Sequence, residues 1–177
     1  MLLHREKNHF ELFNLPTQFA IDLSALDQHY RKLQSAVHPD RFAAAPAAER
    51  LRSMQLATQA NEAYRTLKNP TTRACYLLQI NGIDTEEGSN TAMPAEFLVL
   101  QMEWREAIED ARVAEDIPAL DKLMHKIQQE SKALQQKLHL VLDETKAFPE
   151  AAVTVRKLRF LDKVREDIQQ SISRLED

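Results

Sequence analysis

The chain has 177 residues, 44% of them hydrophobic, and a formal net charge of −4. That content supports one or two small domains with real cores and excludes disorder, while the acidic balance excludes broad phosphate binding, because nucleic-acid footprints are basic over a whole face. A single cysteine, Cys75, cannot form an internal disulfide or a multi-cysteine zinc site; it reads as a small core residue in a protein of a reducing compartment. Two glycines and seven prolines amid abundant Leu, Ala, Gln, Glu and Lys favour helix, so the expected fold class is all-α. No apolar run approaches membrane-spanning length, and Met1-Leu2-Leu3-His4-Arg5-Glu6 lacks a signal-peptide apolar region. A cytoplasmic protein without membrane or nucleic-acid partners is expected.

Residues Met1 to Asn8 carry no usable pattern. Phe10 to Leu15 reads as a short helix closed by Pro16, with Phe10 and Phe13 available for a core. Asp22 or Ser24 caps the next helix, which runs to Val37 and places Leu26, Tyr30, Leu33 and Val37 on one face. Gln28, Arg31, Lys32 and Ser35 fall on the opposite, basic face. Pro39 has no N–H and pushes His38 out of the helical region, so His38-Pro39-Asp40 forms the tip of a helical hairpin. After the small-residue loop Ala43 to Ala48, Glu49 begins the returning helix with a first-turn negative charge. Its stripe of Ala57, Ala60, Tyr64 and Leu67 allows close antiparallel approach. Asn69-Pro70 ends that helix, Pro70 opens another, and Gly82 supplies its stop.

Tyr30-Arg31-Lys32-Leu33, His38-Pro39-Asp40-Arg41-Phe42 and Asn61-Glu62-Ala63-Tyr64-Arg65-Thr66-Leu67 together resemble a J-domain. The tripeptide alone is weak, since by composition it arises by chance in roughly one chain in a hundred of this length; its helical context makes it specific. In that family the tripeptide docks on a DnaK-type chaperone and stimulates its ATPase. The resemblance therefore implies chaperone binding by His38, Pro39 and Asp40 with Arg31 and Lys32. General J-domains commonly keep a basic residue and an aromatic where this chain has Ala36 and Val37, which points to a dedicated partner. The expected J-domain is 1–82, followed by a linker over 83–91 that contains no glycine-phenylalanine tract.

Three helical runs follow, Pro94 to Val113, Pro118 to Glu144 and Pro149 to Leu175, giving an expected three-helix bundle over 92–177. The middle run carries a seam of Leu120, Met124, Ile127, Ser131, Leu134, Leu138 and Val141. The last run carries Leu158, Leu161, Arg165, Ile168, Ile172 and Leu175, with Phe160 at its edge. The first run is apolar on two faces: Phe97, Leu100, Gln101, Trp104, Ile108 and Ala111 form one, while Leu98, Val99 and Met102, with Glu103 and Glu106 beside them, form the other. One face suffices for a bundle, so the second packs on the first domain or serves a partner.

Phe97-Leu98 with Glu103-Trp104-Arg105-Glu106, and above all Val155-Arg156-Lys157-Leu158-Arg159-Phe160-Leu161-Asp162-Lys163, resembles the HscB family of iron–sulfur co-chaperones. In that family a J-domain is joined to a three-helix bundle that holds the cluster scaffold protein IscU and hands it to the chaperone HscA. The resemblance implies scaffold binding by Leu98, Val99, Met102, Glu103, Glu106 and Phe160, with no cofactor held by the chain itself. Two rival readings remain at this stage within chaperone biology and beside it: a J-protein for another client, and a helical adaptor whose tripeptide is merely a turn. His38 and Asp40 could also be a catalytic pair, but the sequence offers no third group, nucleophile motif or metal set to join them, and an enzyme is not expected.

Overall fold

The computed structural model describes residues 7–85 and 93–176 and is all-helical, with no strand among them. The chain divides into two compact units, Met1–Leu77 and Leu78–Asp177. Most of the expected linker, from residue 86 on, and the first six residues lie outside the described residues.

In the first unit α1 (His9–Leu12) begins with a capping box. The Asn8 side chain accepts from the Glu11 N–H at 2.9 Å, and the Glu11 carboxylate accepts from the Asn8 N–H at 3.0 Å. Asn8 thus starts a helix, although the sequence reading gave it no role. The helix stops at Asn14, whose φ of 51° lets Leu15 donate to Phe10 and Asn14 to Glu11 in the paired bonds of a Schellman motif. Phe10 and Phe13 are buried.

Helix α2 (Leu23–Val37) is capped by Asp22, not Ser24: the Asp22 carboxylate accepts from the N–H groups of Ser24 and Ala25 at 2.9 and 3.1 Å. It packs on α3 (Ala47–Lys68). Two ties at opposite ends set the pair antiparallel. Ser53, near the start of α3, donates to the Val37 carbonyl at 2.7 Å and satisfies a group that the end of α2 leaves without an intrahelical partner. Lys68, the last residue of α3, donates to both oxygens of Asp27 at 2.6 and 2.8 Å, near the start of α2. Between them the Tyr30 and Tyr64 rings stack at 4.0 Å, and Tyr64 also donates to Asp27. Ala60, Ala63 and Leu67 are buried in the seam. Helix α3 starts at Ala47, two residues before the expected Glu49, which lies in its first turn.

Helix α4 (Pro70–Ile80) follows, with the Asn69 side chain accepting from Thr71 and Thr72 N–H groups. It closes at Gly82, φ 77°, where Ile83 donates to Leu78 and Gly82 to Gln79. Ala74, Leu77 and Leu78 define its buried side. Cys75 sits on the flank of that side and is half-buried, so it is not the core residue expected.

The second unit consists of α5 (Ala95–Val113), α6 (Ile117–His139), a π-turn over Leu140–Glu144 and α7 (Phe148–Glu176). Its core is Phe97, Trp104, Ile108 and Ala111 from α5, Leu120 and Ile127 from α6, and Leu161, Val164 and Ile168 from α7. Between α5 and α6 the chain turns in three residues, Ala114, Glu115 and Asp116. Glu115, at φ 52°, completes a third Schellman pattern, after those at Asn14 and Gly82, with Asp116 donating to Ala111, and the Asp116 carboxylate immediately caps α6 through the Ala119 N–H at 2.9 Å. The middle run is therefore not one α-helix to Glu144: at its end Thr145 donates to Leu140, five residues back, and both Val141 and Leu142 turn inward. Arg165 is exposed and pairs with Asp162 at 3.6 Å, so Val164 takes the core place expected for it. Thr85, within the expected linker, is buried; the Arg159 guanidinium donates to its carbonyl at 2.7 Å and its hydroxyl at 3.3 Å.

Candidate functional site

The chain presents two clusters of candidate functional residues, one in each unit. In the first, α2 stops at Val37 because His38, preceding proline, takes an extended conformation (φ −58°, ψ 129°). Pro39 then opens one turn of 3₁₀ helix over Pro39–Phe42, which gives the expected loop a fixed shape. His38 Nδ1 accepts from the Asp40 N–H at 3.3 Å and lies 3.5 Å from the Asp40 carboxylate. One nitrogen cannot serve both: while it accepts from the amide it carries no proton, and the carboxylate contact becomes an ion pair only when the imidazole is protonated. The Asp40 side chain is 91% exposed, so its carboxylate is open to solvent.

The tip is tied back to its own helix by Arg41, which donates to the Ser35 carbonyl at 3.1 Å. Arg41, Arg31, Gln34, Ser35 and His38 line one shallow depression. Arg31 and Lys32 are exposed, while of the same tetrapeptide Tyr30 stacks on Tyr64 of α3 and Leu33 is half-buried. The structure thus gathers His38, Pro39, Asp40 and Arg31 around one end of the hairpin, with Lys32 on its open face. Arg41 was missed by the sequence reading; a guanidinium six residues after the last free carbonyls of a helix was the available signal.

In the second unit α5 uses its Phe97, Trp104, Ile108 and Ala111 face for the core and leaves the other open. Leu98, Val99 and Met102 are 46%, 56% and 71% exposed, with Glu103 and Glu106 exposed alongside them. Leu98, Met102 and Glu106 fall four residues apart, so they stand in one row. Phe160 reaches this helix from α7. Its half-buried ring meets Phe97 edge-on at 5.6 Å, lies parallel to Trp104 at 6.1 Å, and has the Arg105 guanidinium 5.8 Å from its centroid. Sequence reading placed Phe160 at the edge of the α7 stripe but missed the two α5 aromatics that receive it.

Among the described residues no group of three or more His, Cys, Asp and Glu side chains could hold a metal ion, and no helix is long and apolar enough to cross a membrane.

A family model described as the HSCB C-terminal oligomerisation domain matches residues 93–169. Over 169 residues, 96% of each chain, the sequence is 50% identical to a protein of Burkholderia multivorans named co-chaperone protein HscB homolog. It is 44% identical, end to end over 177 residues, to a protein of the same name from Azoarcus sp.. Among solved structures, the chaperone HscB from Vibrio cholerae superposes with a TM-score of 0.84 at 36% identity, covering 96% of this chain and 99% of that one. Human co-chaperone protein HscB gives a TM-score of 0.84 at 28% identity, over 93% of this chain and 81% of the other.

Proposed function

The chain belongs to the HscB family of co-chaperones, and from that premise we propose that it stimulates the ATPase of a DnaK-type, HscA-like chaperone while delivering to it an IscU-like iron–sulfur scaffold protein. In this reading residues 1–82 are the J-domain, 83–91 the linker and 92–177 the client-binding bundle. His38, Pro39 and Asp40, with Arg31 and Lys32, engage the chaperone; Leu98, Val99, Met102, Glu103, Glu106 and Phe160 engage the scaffold. The observation that carries the client half is the second apolar face of α5, which stays exposed while the first builds the core.

The mechanism follows from linkage. The hairpin tip makes contacts with the ATP-hydrolysing state of the chaperone that other states do not offer, and so shifts its population. The bundle holds the client on the same chain, which raises the client's concentration near the chaperone's peptide site. The chain itself holds no cofactor and performs no covalent step in this scheme, which takes place in the cytoplasm.

Asp40→Asn tests it. An exposed loop carboxylate contributes less than about 0.5 kcal/mol to folding, whereas removing one partner of a buried intermolecular charge contact costs about 2–5 kcal/mol. The variant is expected to keep the wild-type melting temperature and to lose stimulation of the chaperone, measured by phosphate release. Full stimulation by a folded Asp40→Asn protein refutes the proposal.

A further inference from the structure

We propose that Trp104 and Phe97 are positioning residues that hold the ring of Phe160 in its client-binding orientation before any client arrives; the inference rests on the client-binding role proposed for Phe160. The three rings form a closed triangle. Phe97 meets Phe160 edge-on at 5.6 Å and 83°, Trp104 lies parallel to Phe160 at 6.1 Å and 10°, and Phe97 meets Trp104 edge-on at 6.5 Å and 87°. Each of these is an arrangement that aromatic quadrupoles favour. Trp104 and Phe97 are 4% and 7% exposed, so neither can move aside, while Phe160 keeps part of its ring at the surface. Two cations close the outside of the triangle, Arg105 over Phe160 at 5.8 Å and Lys157 over Phe97 at 5.4 Å.

A phenylalanine on an unsupported helix face samples several rotamers, and a partner that grips it must freeze one of them. Here the Phe97 and Trp104 rings already favour one of them in the free protein. Affinity rises because the ordering cost has been removed from the binding step. Space-filling alone does not account for the geometry: elsewhere the core positions of α5 are met by Ile108 and Ala111, and aromatic side chains occur only where Phe160 arrives. Trp104 is also the sole tryptophan of the chain, so its emission reports directly on the environment of Phe160.

The test titrates an iron–sulfur scaffold protein into the full-length chain by calorimetry, with wild type, Trp104→Phe, Trp104→Leu, Phe97→Leu, Phe160→Ala and the double variant Trp104→Leu/Phe160→Ala. Trp104→Phe keeps a stacking ring and is expected to bind close to wild type. Trp104→Leu and Phe97→Leu are expected to weaken binding by about 2- to 10-fold, the range for ordering one side chain. In the Phe160→Ala background Trp104→Leu is expected to add nothing, and the indole emission of the wild type is expected to change both on adding scaffold and on Phe160→Ala substitution. Wild-type affinity in folded Trp104→Leu or Phe97→Leu protein overturns the proposal, as does an equal loss with and without Phe160. Should one leucine variant fail to fold, the other examines the same ring from its second side. Absence of wild-type binding refutes the client role itself and the proposal with it, an outcome distinct from wild-type binding that is insensitive to these variants.

Discussion

Replacing Leu98, Val99 and Met102 together by alanine separates a binding face from a structural one. Fully burying a side chain of this kind is worth about 1.5–3 kcal/mol. Met102 is 71% exposed, so about 1–2 kcal/mol of that gain remains for a partner; for Val99 at 56% and Leu98 at 46%, it is about 0.7–1.7 kcal/mol each. Because alanine retains its Cβ and neighbouring contacts are not additive, the combined loss in affinity for an iron–sulfur scaffold is expected to be about 2–4 kcal/mol, or roughly 30- to 1,000-fold. The fold has less at stake. Only the buried remainder of each side chain supports it, and a loss of about 1–2 kcal/mol lowers the melting temperature of a chain this size by only a few degrees. Titration calorimetry against the scaffold and scanning calorimetry of the free variant give both numbers. A melting temperature lowered by ten degrees or more beside an unchanged affinity refutes the reasoning, because these side chains then serve the fold and not a client.

Two further substitutions test the frame. The hydrogen bond from Lys68, reinforced by that from Tyr64, holds the Asp27 carboxyl below the usual carboxylate range; the carboxylate form is favoured in the folded chain, so its contribution is full above the unfolded pKa and vanishes as pH falls through the lowered folded value. Asp27→Asn is expected to lower the melting temperature at pH 7, with the gap to wild type closing below about pH 3.8; a gap that persists undiminished at pH 2 contradicts the assignment. Glu115→Gly relieves a left-handed backbone that costs a side-chain-bearing residue about 1–2 kcal/mol, less the extra unfolded-state freedom of glycine. A net gain of about 0.5–1 kcal/mol is expected as a higher urea midpoint with unchanged slope, and a lower midpoint counts against strain at that position.

Much of the fold was legible because the signals were local. Pro39 stops α2 whatever surrounds it, and the two faces of α5 follow from one helix repeat applied to side chains of opposite character. What escaped depended on neighbours. Arg165 stands where the early phase of α7 points inward, but at about 100° per residue the buried face drifts along 29 residues, and Val164 meets the core instead. Thr85 looked like linker because nothing in its own segment says that Arg159, 74 residues away, will donate to its carbonyl. Ser53 and Arg41 were overlooked for a related reason: both satisfy carbonyls at the end of α2, and which side chain reaches a helix end depends on the return path of the chain. For the candidate site, the tripeptide and the exposed α5 row were readable as patterns, whereas the seating of Phe160 on Phe97 and Trp104 required two helices to be brought together.

The π-turn at Leu140–Glu144 makes the end of α6 a place where the chain can change length. A wide turn holds one more residue than a regular one, so deleting the half-exposed Leu140 restores ordinary helical pitch and puts Leu142, already buried, on the seam three positions after Leu138. The same deletion earlier in α6, between Ile127 and Leu138, rotates everything downstream by about 100° and carries the seam into solvent. Single-residue insertions and deletions among relatives are therefore expected to collect in this turn, where gaps leave the phase of the bundle intact.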